Sequence, residues 1–201
     1  MILEYSRRRF QRDGFRIAGQ ELGDVHRRCV VTAAPHTSNL DVFYTLAAFD
    51  LLGLPVRFTI KKEWLRFPVR KLLMDAGAIP IDRTPRTQNA AKPSMTEMMV
   101  RLFEEHEGDL ALAVTPEGTR SPVTRWRTGF WHVARQAGVP ILLGYLDYGR
   151  REAGFGGVIH PTDLEKDMRT LTRFYRDLTP RYGDRYLLDQ RYVDQPDEQT
   201  G

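Results

Sequence analysis

A histidine and an aspartate stand five positions apart in the segment Pro35-His-Thr-Ser-Asn-Leu-Asp41. A neutral imidazole can take a proton from a hydroxyl group, and a carboxylate at its other ring nitrogen fixes the tautomer that does so. On one continuous helix the two side chains would point about 140° apart, because an α-helix has 3.6 residues per turn. They can meet only if His36 lies in a loop and Asp41 in the first turn of the next helix. With that arrangement, the pair is a general base with its orienting carboxylate.

Helix capping is a second interpretation of the same segment. Ser38 is a typical N-cap residue, and Ser38-x-x-Asp41 has the form of a capping box, in which each side chain bonds a backbone N–H of the other residue. In that case Asp41 has a structural role and His36 is an ordinary polar loop residue. The residue types and their spacing leave both interpretations open.

A second loop, Thr115-Pro-Glu-Gly-Thr-Arg-Ser121, follows an apolar run and carries groups suited to an anion. Pro116 ends the run, Gly118 permits a tight turn, and the guanidinium of Arg120 can offer a fork of donors to a phosphate. A third candidate is the strand-like segment Gly77–Arg83, which ends in an arginine. Taken singly, the loop is equally compatible with a plain turn, and the arginine of the third segment with a solvated side chain.

Short apolar runs alternate with helix-length segments, and this order predicts an α/β domain with a mostly parallel central sheet flanked by helices. Strands are predicted at Arg28–Ala34, Val56–Ile60, Ala78–Ile81, Leu110–Val114, Pro140–Leu146 and Gly156–Ile159. Helices are predicted at Asn39–Leu52, Lys62–Asp75, Ser94–His106, Gly129–Gln136 and Leu164–Leu178. The loops with His36 and Arg120 directly follow predicted strands. Chemistry is therefore expected at the edge of the sheet where the parallel strands have their carboxyl ends.

The 201 residues fit one domain with a single core. We expect the domain to span residues 1–180, with a short basic N-terminal segment over 1–25 and the core over 26–180. A polar C-terminal tail over 181–201 is expected to be loosely held from Asp184 onward. The single cysteine, Cys29, is interpreted as core packing, so no internal disulfide and a cytoplasmic setting are expected. No signal peptide or membrane-spanning helix is predicted.

The formal net charge is +4, and the basic residues are concentrated near the centre of the chain. Arg57–Arg86 holds eight basic and three acidic residues, and Arg120–Arg135 holds four basic residues and no acidic one. This density suits an anionic ligand or an anionic membrane surface, with solvated surface charge as the alternative. The basic stretches carry no nucleic-acid-binding motif, so no nucleic acid partner is expected. The apolar and arginine residues at the N-terminus are compatible with an interfacial helix or with an ordinary packed helix.

Together and in this order, the motifs resemble the lysophosphatidic acid acyltransferase family of glycerolipid acyltransferases. The blocks that match are His36-x-x-x-x-Asp41, Gly77–Arg83, Pro116–Ser121 and Val139–Leu142. The resemblance extends from about Cys29 to Tyr148. His-x-x-x-x-Asp is common by itself, whereas its combination with Pro-Glu-Gly-Thr-Arg-Ser about 75 residues later is highly specific.

The resemblance implies a single domain with a glycerol-3-phosphate acyltransferase-like fold. It implies transfer of a fatty acyl group from a thioester to a hydroxyl of a lysophospholipid, most simply lysophosphatidic acid, with His36 as the base and Asp41 as its orienting partner. The residues implied to contact the substrate are Lys61, Arg83, Glu117 (in a positioning role), Gly118, Thr119 and Arg120. No metal and no cofactor are implied, because a thioester is already activated and acyl-CoA or acyl-carrier protein serves as the donor substrate. Backbone N–H groups near Gly118 are candidate donors to the oxyanion.

Other functions are compatible with the same residues. One is acylation of a different lysolipid or of a lipid acceptor without phosphate. A non-catalytic lipid-binding protein on the membrane surface is a second alternative, although binding does not require the His36–Asp41 pair. A thioesterase is a third, although it does not require arginines for an acceptor phosphate. The expected location is cytoplasmic, with peripheral contact at the inner face of an anionic membrane.

Overall fold

The computed structural model describes residues 2–19, 23, 27–54, 56–61, 69–81 and 93–193. Arg83, one of the predicted substrate-binding residues, lies outside the described residues. For Lys61 the backbone alone is described, at the last position of a strand. The first part of the helix predicted at Lys62–Asp75 also lies outside the described residues.

A seven-stranded sheet forms the centre of the molecule, with helices on both faces. The strands are β1 (Arg16–Gly19), β2 (Arg28–Ala34), β3 (Val56–Lys61), β4 (Ala78–Ile81), β5 (Leu110–Val114), β6 (Ile141–Asp147) and β7 (Glu152–Ile159). The helices are α1 (Ile2–Arg12), α2 (Asp41–Leu51), α3 (Val69–Asp75), α4 (Met95–Glu105), α5 (Gly129–Ala137) and α6 (Leu164–Arg176). The strand order is β1-β7-β6-β2-β5-β3-β4, and β6 and β7 are the antiparallel pair in an otherwise parallel sheet. The predicted fold class is confirmed.

Two features at one side of the sheet differ from the prediction. Strand β1 was not predicted, because four residues at a sheet edge give too short a pattern to recognise. Strand β7 begins at Glu152 rather than Gly156, since three glycines weaken its strand signal. Its antiparallel pairing with β6 extends the strand to the turn that joins the two.

The strands at the centre of the sheet are covered on both faces, which explains their continuous apolar sequences. One face packs against α2 through buried residues such as Val31, Leu142 and Phe49. The opposite face packs against α5 and α6 through the larger cluster that includes Val133 and Met168. Cys29 lies within the first cluster, and burial raises the pKa of its thiol to about 12, as expected for a packing residue.

The N-terminal helix α1 packs against α2. Its buried Phe10 contacts the rings of the cluster that contains Tyr44, and Arg7 forms an ion pair with Asp50 at 3.0 Å. The packed helix considered in the sequence analysis is therefore present, and its outer face exposes Arg8 and other polar residues. No helix in the described ranges is long and apolar enough to cross a membrane.

The segment after α6 is held against the core as far as Val193. Asp189 is fully buried, and its carboxylate accepts a hydrogen bond from the N–H of Trp126 at 2.9 Å. Tyr192 is buried in the main core cluster. The prediction of a loose tail from Asp184 onward is therefore wrong for residues 184–193. The segment is polar overall, so its composition does not indicate the few side chains that anchor it. One buried aromatic residue is enough to hold a short segment.

Candidate active site

His36 and Asp41 meet at the carboxyl end of β2. Nδ1 of His36 lies 3.2 Å from Oδ2 of Asp41. His36 lies in the loop that follows β2, and Asp41 is the first residue of α2, which is the arrangement that their spacing requires. The contact occupies Nδ1, so Nε2 is the ring nitrogen left for a substrate.

The Asp41 carboxylate is buried, with 3% of its surface exposed, and receives further donors from its surroundings. Oδ2 accepts the N–H groups of Thr37 and Ser38, each at 2.8 Å, and Oδ1 accepts the hydroxyl of Tyr148 at 2.6 Å. Burial raises the pKa of Tyr148 above its ordinary value, so the hydroxyl keeps the proton that it donates. These bonds fix the orientation of the carboxylate toward His36.

The capping box predicted for Ser38 and Asp41 forms only in part. Helix α2 begins at Asp41, its N-cap residue is Leu40, and no side chain caps it there. The hydroxyl of Ser38 accepts the N–H of Leu40 at 3.1 Å instead. The prediction of Ser38 as N-cap is wrong because a turn precedes the helix. Asp41 nevertheless bonds backbone N–H groups of the loop as well as His36, so the structural and catalytic interpretations are compatible.

Glu117 connects the second loop to the first. Its Oε1 accepts the N–H of His36 at 2.9 Å, and the strands that precede the two residues, β5 and β2, are neighbours in the sheet. This bond holds the backbone of His36 in place. Glu117 is 5% exposed, and its Oε2 has no hydrogen-bond partner in the part of the chain that the structure describes. Burial penalises the ionised carboxylate and raises the pKa of Glu117 from 4.5 to about 7.

Glu117→Gln is expected to change the pH dependence of stability. The pKa of Glu117 is higher in the folded than in the unfolded chain. The contribution of Glu117 to the stability of the folded protein is therefore complete below about pH 4.5 and is lost as pH rises through 7. Glutamine stays neutral throughout. The free energy of unfolding of the variant relative to wild type should therefore rise by about 3 kcal/mol between pH 4.5 and 8, at about 1.4 kcal/mol per pKa unit. Urea unfolding of both proteins at several pH values measures this difference. A difference in the free energy of unfolding that stays constant with pH would contradict the prediction.

The residues that follow Glu117 differ in their relation to the site. Gly118 adopts φ +66°, as a tight turn requires, and its N–H donates to the carbonyl of Thr115 at 3.0 Å. That N–H is therefore already used within the turn, and other backbone N–H groups near Gly118 stay the candidate donors to the oxyanion. Thr119 and Arg120 are exposed at the tip of the loop.

His36 and Asp41 line a cavity of about 880 Å³ between α2 and the sheet. Four neighbouring strands supply small residues to its floor, namely Ala153 of β7, Gly144 of β6, Ala33 of β2 and Ala113 of β5. Larger apolar residues form its walls, among them Leu46, Phe49, Leu52, Val56, Phe58 and Phe155. The His36–Asp41 pair thus lies beside an apolar space large enough for a substrate.

Arg127 lines the same cavity, although it was not among the predicted site residues. Its side chain lies against Gly118, where a Cβ would be only 2.6 Å from Nε of Arg127. The backbone N–H of Arg127 donates to the carbonyl of Pro116 at 2.8 Å. Arg120 does not belong to the described residues that line the cavity. The one sequence signal that includes Arg127 is the basic stretch Arg120–Arg135, which does not distinguish between its arginines.

Comparison with known proteins identifies a family and a protein of similar fold. Residues 14–142, more than half of the chain, match the model of the acyltransferase family. The fold is similar to that of the 1-acyl-sn-glycerophosphate (LPA) acyltransferase PlsC from Thermotoga maritima, with a TM-score of 0.50 and 18% sequence identity over 82% of this chain and 68% of that chain. No curated protein sequence matches significantly. The chain therefore belongs to the acyltransferase family.

Proposed function

We propose that this acyltransferase transfers a fatty acyl group from a thioester to a hydroxyl of a lysophospholipid, with lysophosphatidic acid as the acceptor and phosphatidic acid as the product. The observation that carries the proposal is the position of the His36–Asp41 pair on the wall of an apolar cavity. A base beside an apolar space suits a reaction between a hydroxyl group and a fatty acyl thioester.

In the proposed reaction, Nε2 of His36 takes the proton of the acceptor hydroxyl as its oxygen attacks the thioester carbonyl. The new C–O bond gives a tetrahedral intermediate, and its collapse breaks the C–S bond. The leaving thiolate takes the proton back from the imidazolium. Asp41 holds the ring in the reactive tautomer throughout and stabilises its charged form. No nucleophilic side chain is needed, because the thioester is already activated.

The cavity is suited to the acyl chain. Its floor of alanine and glycine leaves depth above the sheet, and its walls are aliphatic and aromatic. Each methylene group that leaves water for such an environment contributes about 0.8 kcal/mol to binding. The cavity therefore favours long acyl chains and can distinguish between their lengths.

Ala113→Leu is expected to shift donor preference toward shorter acyl chains. The larger side chain would extend from the floor of β5 into the space that the chain occupies. We expect kcat/KM for palmitoyl-CoA to fall about tenfold or more, which corresponds to the loss of about two methylene contacts, while octanoyl-CoA changes little. Ala137→Leu, at a partly buried alanine of α5 outside the cavity, is the matched control. Equal losses for both donors would place the acyl chain elsewhere.

Arg127 is proposed to bind the acceptor phosphate. In lysophosphatidic acid the phosphate ester and the reacting hydroxyl stand on adjacent carbons, so the phosphate must lie close to His36. Arg127 is near enough, since it packs against Gly118, the residue next to Glu117, which bonds His36. In the described part of the chain its guanidinium has no acidic partner. The phosphates of acyl-CoA lie at the far end of the pantetheine arm and fit this position less well.

Arg127→Gln is expected to raise KM for lysophosphatidic acid about ten- to a hundredfold, because a hydrogen bond to a charged group contributes about 1.5–3 kcal/mol. A monoacylglycerol of the same chain length should be unaffected. Arg127→Lys should restore activity only in part, since lysine keeps the charge and loses the fork. Arg125→Gln, at an exposed arginine outside the cavity, is the control. If the substitution slows both acceptors equally, or raises KM for acyl-CoA instead, Arg127 does not bind the acceptor phosphate.

We also propose that the other basic residues of the motifs contact the same acceptor. Lys61 pairs with Ile81 in the sheet, so β3 and β4 end side by side, and Arg83 follows Ile81 by two positions. Both strands have their carboxyl ends at the edge of the sheet that carries His36. Thr119 and Arg120 are exposed, which suits contact with a headgroup outside the cavity.

A panel of lysolipids, offered with labelled acyl-CoA and with acyl-carrier protein, tests the proposed function as a whole. Mass spectrometry should identify phosphatidic acid as the main product. Acylation of another lysolipid would change the acceptor and keep the reaction. Release of free fatty acid without any acylated product would indicate a thioesterase and overturn the proposal.

We also propose that the protein makes peripheral contact with the cytoplasmic face of an anionic membrane. The acceptor is a membrane lipid, and the outer face of α1 exposes Tyr5, Arg8 and Arg12 together. Aromatic and basic side chains of this kind suit the headgroup region. Co-sedimentation should be stronger with vesicles that contain phosphatidylglycerol than with phosphatidylcholine vesicles, and equal binding would argue against it.

A further inference from the structure

The hydroxyl of Tyr148 contacts the site from a part of the chain that none of the sequence motifs includes. It donates to Oδ1 of Asp41 at 2.6 Å, across 107 positions of sequence. The other carboxylate oxygen, Oδ2, faces His36 and the loop N–H groups. The Tyr148 hydroxyl is thus the donor that fixes the Oδ1 side of the carboxylate, opposite the side that orients the imidazole.

The position of this hydroxyl is itself fixed. Tyr148 directly follows β6, and its N–H donates to the carbonyl of Thr179 at 2.9 Å. Its ring meets the rings of Phe15 and Tyr44 edge to face, with centroids 5.4 and 5.7 Å apart. The guanidinium of Arg181 lies 5.5 Å from the ring centroid. Contacts from three separate parts of the chain therefore leave the phenol little freedom to rotate away from Asp41.

We propose that Tyr148 is a positioning residue of the acyl transfer reaction, which holds Asp41 in the orientation that keeps the His36 imidazole in its reactive tautomer. Without the hydroxyl, the carboxylate keeps the two backbone donors on Oδ2 but can turn about its own axis. A small rotation lengthens the bond to Nδ1 of His36, already 3.2 Å. Positioning errors of this size act on the chemical step rather than on substrate binding.

Tyr44 provides a matched control within the same aromatic cluster. Its hydroxyl also donates to a carboxylate at 2.6 Å, but the acceptor is Asp13, which forms ion pairs with Arg9 and Arg12 rather than orienting His36. Tyr44→Phe and Tyr148→Phe therefore each remove one hydroxyl that bonds a carboxylate at the same distance. They are expected to cost similar amounts of stability and to differ in their effect on catalysis.

The test compares kcat and KM of both variants with wild type at a temperature where unfolding curves show all three to be folded. Tyr148→Phe should lower kcat about ten- to a hundredfold and leave KM for both substrates within about twofold, since a hydrogen bond to an ionised group has this weight. Tyr44→Phe should keep kcat within about twofold of wild type. If the two variants lose kcat equally, the role of Tyr148 is structural and the proposal is overturned.

A double-mutant cycle with Asp41→Asn adds a measurement that a structural role would not affect. If Tyr148 acts through the Asp41 carboxylate, Tyr148→Phe should cause little further loss of kcat in the Asp41→Asn background. A full additional loss would show that Tyr148 acts independently of Asp41 and would contradict the proposal. Whichever acceptor the lysolipid panel identifies serves as substrate. The outcome therefore does not depend on lysophosphatidic acid being the acceptor.

Discussion

His36→Ala is expected to lower kcat by about 10²- to 10⁴-fold while the protein remains folded. A positioned general base contributes this factor, which corresponds to roughly 3–5.5 kcal/mol of the activation barrier. The substitution removes the imidazole but keeps the backbone N–H that donates to Glu117. Asp41 also keeps its bonds to the loop and to Tyr148. The melting temperature should therefore change little.

Steady-state turnover with acyl-CoA and the preferred lysolipid measures this effect, and circular dichroism checks the fold. His160→Ala is the matched control, since His160 is an exposed histidine just after β7, outside the cavity. A folded His36→Ala enzyme that loses less than about threefold would exclude His36 as the base. The reaction would then need a different proton acceptor at the cavity wall.

Asp41→Asn is expected to reduce kcat by a similar 10²- to 10⁴-fold, again with the fold retained. The asparagine carbonyl can occupy the position of Oδ2 and accept the N–H groups of Thr37 and Ser38. Its amide group then faces Tyr148, whose hydroxyl can rotate to accept a hydrogen bond. The loop contacts survive, but the negative charge that orients His36 and stabilises its protonated form is lost.

Asp163→Asn separates capping from catalysis. Asp163 is the N-cap of α6, and its side chain accepts the N–H of Lys166 at 2.9 Å. Asparagine caps α6 about as well as aspartate, and asparagine at position 41 can keep the bonds to the loop N–H groups. Both variants should therefore unfold at nearly wild-type temperatures. Only the Asp41 variant should lose turnover. If Asp41→Asn lowers stability while the folded fraction keeps its specific activity, Asp41 is a structural residue alone.

The sequence by itself determined the fold class and the positions of His36 and Asp41. Apolar periodicity, turn residues and chain order are local properties, and they predict four of the helices to within two residues at each end. The same properties place His36 just after β2 and Asp41 at the start of α2. His36 and Asp41 are five residues apart, so one loop and one helical turn are enough to bring them together. Both can be predicted from the sequence.

Only the tertiary structure decided which distant residues complete the site. The strand order places β2 between β5 and β6, and this order brings Glu117 to the backbone of His36 and Tyr148 to the carboxylate of Asp41. It also aligns the small residues of four strands as one cavity floor, and the loop before α5 brings Arg127 to the lining of the same cavity. Non-local contacts of this kind leave no periodic signal in the chain. The shifted pKa of Glu117 has the same origin, because desolvation depends on every group that packs around the carboxylate and not on its neighbours in sequence.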